Sequence, residues 1–231
     1  GNIVPGLCLD YKGILWVATT KGICMVENGV IKPFNLIKDE TSVILFMEDS
    51  ERNLWFPTKK GLCRLSPDRT EIKRFGIKDG LPDIRIFSLL EDSKKNIWIA
   101  TDNGLSRFRD GKFTNFFTKD GLSNNNCCSV LEDNYGNIWV GTVRGINRYD
   151  GNEFQTFTIY DGLPSDELID GSYLKDRQGY LWFGTVGGVA RFLPGRDLFN
   201  SIPPPDLCIQ LKGNANRLSL LGTQHIQIQP E

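Results

Sequence analysis

Histidine is almost missing from this sequence. The 231 residues contain one, His225, so a mechanism resting on imidazole bases or several imidazole metal ligands has nothing to build on. Excess charge is missing too: 27 basic residues against 28 acidic leave a formal net charge of −1. That excludes the basic field a phosphate backbone requires, and with it a nucleic-acid partner. No apolar run approaches the ~20 residues of a membrane-crossing helix, so no membrane contact by this segment is expected. The chain opens GNIVPG, with no initiating Met and neither the basic nor the apolar stretch of a secretory leader, and is expected to be an excised segment. Zinc spacings are also lacking. The six cysteines (Cys8, Cys24, Cys63, Cys127, Cys128 and Cys208) match no metal pattern, and only the vicinal Cys127–Cys128 pair is close in sequence. On a strand those two side chains point to opposite faces. Small buried free thiols without disulfides are expected, with no metal and no cofactor.

What is present is repetition. NIWIATDNGLSRF (96–108) returns as NIWVGTVRGINRY (137–149). Aligned on tryptophan, the phrase occurs five times, at Trp16, Trp55, Trp98, Trp139 and Trp182, with steps of 39, 43, 41 and 43 residues. Each Trp has an Asp six residues before it: Asp10, Asp49, Asp92, Asp133 and Asp176. Each has a Thr three after (Thr19, Thr58, Thr101, Thr142, Thr185) and a Gly six after (Gly22, Gly61, Gly104, Gly145, Gly188). A residue present in every copy is a structural part before it is a unique catalyst.

Local chemistry predicts a four-stranded antiparallel meander. Apolar runs such as VILFME (43–48) and IFSLLE (86–91) form the first strand. The Asp opens a tight turn, with Gly fourth in DYKG, DNYG and DRQG and Asn one place later in DSERN and DSKKN. NLWFPT and NIWIAT form the second strand, a hairpin closed by the repeated Gly leads to the third, and KFTNFF or EFQTFT forms the outer fourth. Units of ~40–45 residues with four short strands are propeller blades. Strands apolar on both faces fit sheets packed between neighbours, with each Trp wedged between adjacent blades. Solenoid stacking is the alternative.

The predicted fold is therefore all-β: five four-stranded blades over 1–201, with boundaries near 1–40, 41–83, 84–124, 125–167 and 168–201. KDGLP (78–82), KDGLS (119–123) and YDGLP (160–164) connect blades, their Leu plugging the gap beside the next blade; IKDE (37–40) departs from this pattern. Residues 202–231 are expected to form a proline spacer and a truncated further β domain.

The phrase LEDNYGNIWVGTVRGINRYDGNEFQTFTIYDGLP (131–164) resembles the two-component regulator propeller repeat, an acidic pair, a G-x-lW-iGT core and a dGL connector. That family occurs in sensor regions of hybrid histidine kinases, where seven-bladed propellers precede a small β-sandwich, a transmembrane helix and the kinase. The resemblance implies five blades of a larger propeller, the tail LCIQLKGN being the start of the sandwich. It also implies a periplasmic ectodomain of an inner-membrane protein, a homodimeric parent and a small carbohydrate ligand.

Three ED pairs (48–49, 91–92, 132–133) would suit acid–base work, but their Asp is the turn residue of every blade. Arg64, Arg107, Arg148 and Arg191, nine residues after their Trp, are assigned to inter-blade ion pairs or to a binding ring. A propeller lyase of the streptogramin-degrading type relies on a histidine within its ring, and none lies in these blades. Asp83 and Asp166 stand in no recognisable glycosidase context. The chain is thus read as a non-enzymatic sensing module, with a purely structural or dimerisation role as the alternative. Ligand contacts are expected where loops vary between blades: Lys59, Lys60, Arg85, Asp102, Asn103, Asn125, Asn126 and Arg144. Asn124 and Asp166 belong to the same loops, and Tyr160 is their main aromatic.

Overall fold

A computed structural model describes residues 6–19, 22–34, 36 and 43–195, together with the backbone of 207–211 and 218–221. The IKDE connector, the three consecutive prolines and His225 lie outside the described residues. The chain divides into two compact units, Gly1–Asn115 and Phe116–Glu231.

In the first unit, blade one comprises β1 (Gly6–Leu9), β2 (Leu15–Thr19), β3 (Gly22–Glu27) and β4 (Val30–Pro33). Blade two comprises β5 (Met47–Glu48), β6 (Leu54–Thr58), β7 (Gly61–Leu65) and β8 (Ile72–Phe75). Blade three comprises β9 (Ile86–Glu91), β10 (Ile97–Thr101), β11 (Gly104–Arg109) and β12 (Lys112–Phe116), the last crossing the division. In the second unit, blade four comprises β13 (Cys127–Glu132), β14 (Ile138–Thr142), β15 (Gly145–Tyr149) and β16 (Phe154–Phe157). Blade five begins with β17 (Leu168–Lys175), β18 (Leu181–Thr185) and β19 (Gly188–Phe192). Each sheet is an antiparallel meander in chain order, so the fold is all-β and made of propeller blades. Among the described residues no helix is long and apolar enough to cross a membrane.

Two expectations change here. LCIQL was assigned beyond the last blade, yet β20 (Leu207–Leu211) pairs with β19 from Val189↔Ile209 to Arg191↔Leu207, and β21 (Leu218–Leu221) pairs with β20. The open edge of β19 is an unsatisfied row of backbone groups, and the nearest free strand completes it. The run VILFME was expected to be a full first strand in blade two, but β5 pairs with β6 only at Met47 and Glu48.

The four repeated residues prove to be one device. The Asp carboxylate uses both oxygens. Its Oδ1 accepts the N–H four residues on, from Ile14, Asn53, Asn96, Asn137 and Tyr180, at 2.8–3.0 Å. Its Oδ2 accepts the indole Nε1–H of the blade's own Trp at 2.7–2.9 Å in all five copies. A buried carboxylate needs such donors, and a buried indole needs such an acceptor. Burial alone would raise the pKa of Asp10, but bonds from Trp16, Ile14, Arg69 and Lys12 hold it below the usual carboxylate range. The Thr hydroxyl donates to the Gly carbonyl three residues on in every blade, closing the second hairpin. In DSERN and DSKKN the left-handed residue is Arg52 (φ 70) or Lys95 (φ 63) rather than the expected Asn. Asn53 and Asn96 instead brace the Asp carboxylate through Nδ2.

Within each unit, cores lie between successive sheets. Trp16, Phe34, Val43, Phe56 and Leu65 pack between blades one and two. Trp55, Phe75, Leu81, Ile97 and Phe108 pack between blades two and three, and Trp139, Phe157, Leu163, Phe183 and Phe192 between blades four and five. The connector leucines Leu81, Leu122 and Leu163 are buried, as plugs should be. Four Trp side chains are at most 2% exposed, whereas Trp182 is half-buried. An indole is covered by the following blade, as Trp55 is by Phe108 and Trp139 by Phe192. Among the described residues no sixth Trp blade follows Trp182.

Three of the four repeated arginines meet an indole. Arg64, Arg107 and Arg191 lie 5.4–5.8 Å from the ring centroid of their own blade's Trp, their cross-strand neighbour. The Glu of the ED pairs has a structural task as well. Glu48 accepts the Tyr11 N–H at 2.8 Å, and Glu91 accepts the Ser50 N–H at 2.6 Å and its hydroxyl at 2.8 Å. Each thus fastens the Asp turn of the preceding blade. Among the described residues Cys8, Cys24, Cys63, Cys127 and Cys128 are free thiols. Burial pushes the Cys127 thiol far up and leaves it unreactive.

Candidate functional site

The Thr-to-Gly hairpins and the connectors meet at one end of each blade. Asp102 N–H donates to the Arg85 carbonyl, Val143 N–H to that of Asn126, and Val186 N–H to that of Glu167. These bonds hold the backbone at equivalent positions while leaving the side chains free to differ: Arg, Asn and Glu. The connectors themselves are rigid. Ile77–Asp79, Thr118–Asp120 and Ile159–Asp161 form 3-10 turns, each ended by a left-handed Gly and tied by its Asp carboxylate to the N–H three residues back.

Two of these connectors are fastened again at their far end. Asn125 Oδ1 accepts the Thr118 N–H at 2.8 Å, and Asp166 Oδ1 accepts the Ile159 N–H at 2.6 Å. The equivalent residue before blade three is Ile84, which has no acceptor to offer. Asn125 therefore serves its own connector, and Asn124 likewise accepts the Asn126 N–H. Neither was legible as a loop brace, because both partners lie in variable stretches.

Blade two departs from the repeat at the neighbouring point. The residue two after Trp is Ala18, Ala100, Gly141 or Gly184 elsewhere, but Pro57 here. Position 102 sends its N–H to Arg85, the residue just before the first strand of its own blade, and alternate residues of a strand face the same way. Position 57, two before the equivalent of 102, therefore faces the first strand too, where proline has no N–H to give. Proline in a central strand is a position normally closed to it. It is accommodated because pairing with β5 stops at Met47, which turns this end of β6 into an edge.

The departures open a cleft of about 280 Å3 between blades two and three. Ile44, Pro57, Ile84, Ile86 and Phe87 form its apolar walls, and Thr58, Lys59 and Arg85 complete the lining. Arg85 lies 5.9 Å from the Phe87 ring centroid and is ion-paired with Asp102 at 2.8 Å. Lys59 is exposed and, among the described residues, has no acidic partner.

Of the expected ligand residues, the structure thus joins Lys59, Arg85 and Asp102 at one cleft mouth. Lys60 and Asn103 are exposed on the adjacent hairpins, their N–H groups donating to Thr58 and Thr101. In the second unit Arg144 is exposed on its hairpin, and Asn126 is half-buried with Oδ1 3.6 Å from Cys128 Sγ. Tyr160 is 93% exposed on the last connector. The apolar walls went unforeseen, although a proline inside a strand is a signal a sequence does carry. Among the described residues no group of three His, Cys, Asp or Glu side chains is placed to hold a metal ion.

The two component regulator propeller family model matches residues 80–103 and 121–144. These spans run from a connector through the following hairpin, the segments just described. Among solved structures, the chain is similar to the extracellular domain of the hybrid two component system BT3049 from B. thetaiotaomicron, at 25% identity and a TM-score of 0.76. That match covers 99% of this chain and 32% of the other, so the chain spans about a third of that protein's solved length. It is similar in fold to virginiamycin B lyase from Staphylococcus aureus, at 17% identity and a TM-score of 0.67, covering 97% of this chain and 88% of the lyase. A third likeness, at 15% identity and a TM-score of 0.66, is to PorZ of Porphyromonas gingivalis, covering 86% of this chain and 33% of that one. The last two show the fold alone. No curated protein matches the chain.

Proposed function

We propose that this chain is an extracytoplasmic ligand-sensing module of a two-component signalling protein, and not an enzyme. It sits in the periplasm as part of a homodimeric membrane sensor, takes a small carbohydrate on its connector face and passes occupancy to a kinase. The observation that carries this reading is the division of labour within each blade. The repeated Asp, Glu, Trp, Thr and Arg side chains are engaged with one another or with backbone. Within each blade the residues that differ from its repeats lie at the connector end of that blade, on hairpins locked by backbone bonds. A site that selects one ligand needs side chains that differ, held on rigid elements. The similarity to an extracellular two-component domain supports the sensory part.

The test is a calorimetric titration of the complete sensor with neutral and acidic oligosaccharide fragments. One fragment should bind saturably without being cleaved. Arg85→Ala, Asn126→Ala and Arg144→Ala, made singly, should weaken it where they touch it by ~1–3 kcal/mol, about five- to a hundredfold. Tyr135→Ala and Gln178→Ala, in the opposite turns, should leave it unchanged. Turnover of the fragment, or wild-type binding in all three connector variants with loss in the turn variants, would contradict the reading.

A further inference from the structure

The cleft between blades two and three has walls of hydrocarbon and a cationic mouth, a combination ill-suited to a neutral sugar. We infer that it is a binding site for a small organic anion with an apolar body, such as an aryl or branched-chain carboxylate. This goes beyond the carbohydrate reading and stands or falls separately from it.

Three departures from the repeat converge on this one spot. Pro57 replaces the Ala or Gly of the other blades and removes a ladder donor. Pairing of the first strand with β6 stops at Met47, leaving Ile44 on the cleft wall. Ile84 replaces the Asn125 and Asp166 that fasten the later connectors, so a hydrocarbon side chain stands where those blades have a satisfied polar one. Sequences break local rules chiefly at functional or strained sites, and here the three breaks together build one concave apolar surface.

Size and charge then define the occupant. Water occupies about 30 Å3 per molecule in the liquid, so 280 Å3 has room for on the order of ten non-hydrogen atoms. Ile44, Pro57, Ile84 and Ile86 with the Phe87 ring would take up an apolar body of that size. At the rim Lys59 supplies an ammonium without an acidic partner among the described residues. Asp102 holds the Arg85 guanidinium beside the Phe87 ring, 2.8 Å from its own carboxylate. Among the described residues Lys59, Lys60 and Arg85 stand against Asp102 and Asp83, whose Oδ1 accepts the Arg85 N–H at 2.8 Å, so the mouth carries one cation more than carboxylates, matched by a monoanion. Charge-assisted hydrogen bonds from Lys59 and Arg85 would fix the carboxylate end.

The experiment uses the complete chain and isosteric probes: 3-phenylpropanoate, 3-phenylpropanol and acetate, followed by two-dimensional NMR. Saturable shifts are expected for 3-phenylpropanoate at Ile44, Lys59, Ile84 and Phe87, with a dissociation constant below about 1 mM. The alcohol should bind at least about tenfold more weakly, and acetate should not saturate. Lys59→Met, at an exposed position that folding does not need, should weaken the anion about five- to tenfold. Ile44→Trp, which fills the cleft, should abolish saturation; Ile84→Trp serves if the first lowers the melting temperature. The proposal is overturned if 3-phenylpropanoate fails to saturate, if the alcohol binds equally well, or if Lys59→Met binds like wild type. None of these outcomes touches the oligosaccharide titration.

Discussion

Trp55→Ala should lower stability by about 3–5 kcal/mol, while Trp182→Ala should cost less than half as much. The two residues hold the same place in their blades, and each gives its indole N–H to its own Asp. Their surroundings differ. Trp55 is 1% exposed, stacked on Phe75 with ring centroids 5.8 Å apart and met edge-on by Phe108 of blade three at 5.5 Å. Removing it opens a cavity between two sheets and leaves the buried Asp49 carboxylate without one of its donors. Trp182 is half-buried, so its loss forfeits less buried area. Urea denaturation monitored by circular dichroism measures both variants. Equal losses would mean that the indoles are not stacked between successive blades as described.

Gly61→Ala is expected to rival the tryptophan substitution, at about 3 kcal/mol or more, although it adds a single methyl group. Gly61 closes the Thr58 hairpin at φ +124, a region L-residues rarely enter, and that alone costs about 1–3 kcal/mol. An added Cβ would also lie 2.2 Å from the Phe75 carbonyl oxygen of β8. Backbone on both sides leaves no flexible side-chain end to yield. Gly22 separates the two causes. It has φ +135 but, among the described residues, nothing within 4 Å of its would-be Cβ, so Gly22→Ala should show the conformational cost alone. If both variants melt together, the contact with Phe75 does not matter.

The spacing of Trp, Asp, Thr and Gly was enough to read the blades, because residues in a fixed register within ~20 positions make their contacts with one another. What that spacing could not reveal was what each side chain does. The Asp was read as a turn former, and its Oδ1 is one; the bond from Oδ2 to the indole requires knowing that both point to the same face. Glu48 and Glu91 each serve a turn some 40 residues earlier, and Arg64 lies over an indole across a strand pair, so neither role follows from its neighbours in sequence. The candidate site was half legible. Lys59, Arg85 and Asp102 were singled out because they vary between blades. Pro57 stands inside the expected strand NLWFPT and Ile84 at the expected start of blade three, and their departure from the repeat shapes the cleft between them. LCIQL was assigned outside the blades because a proline run precedes it, whereas strand pairing depends on which edge is open.

The central claim is that the repeated residues are scaffold and that ligand is read at the connector end. Amide hydrogen exchange of the complete sensor, with and without a saturating oligosaccharide identified by the titration above, tests it most directly. Slowed exchange is predicted at the hairpin and connector segments 58–60, 83–87, 101–104, 124–126 and 142–145, with the Asp turns at 10–13, 49–53, 133–137 and 176–179 unchanged. Protection of those turns, with the connector end unaffected, would contradict the account.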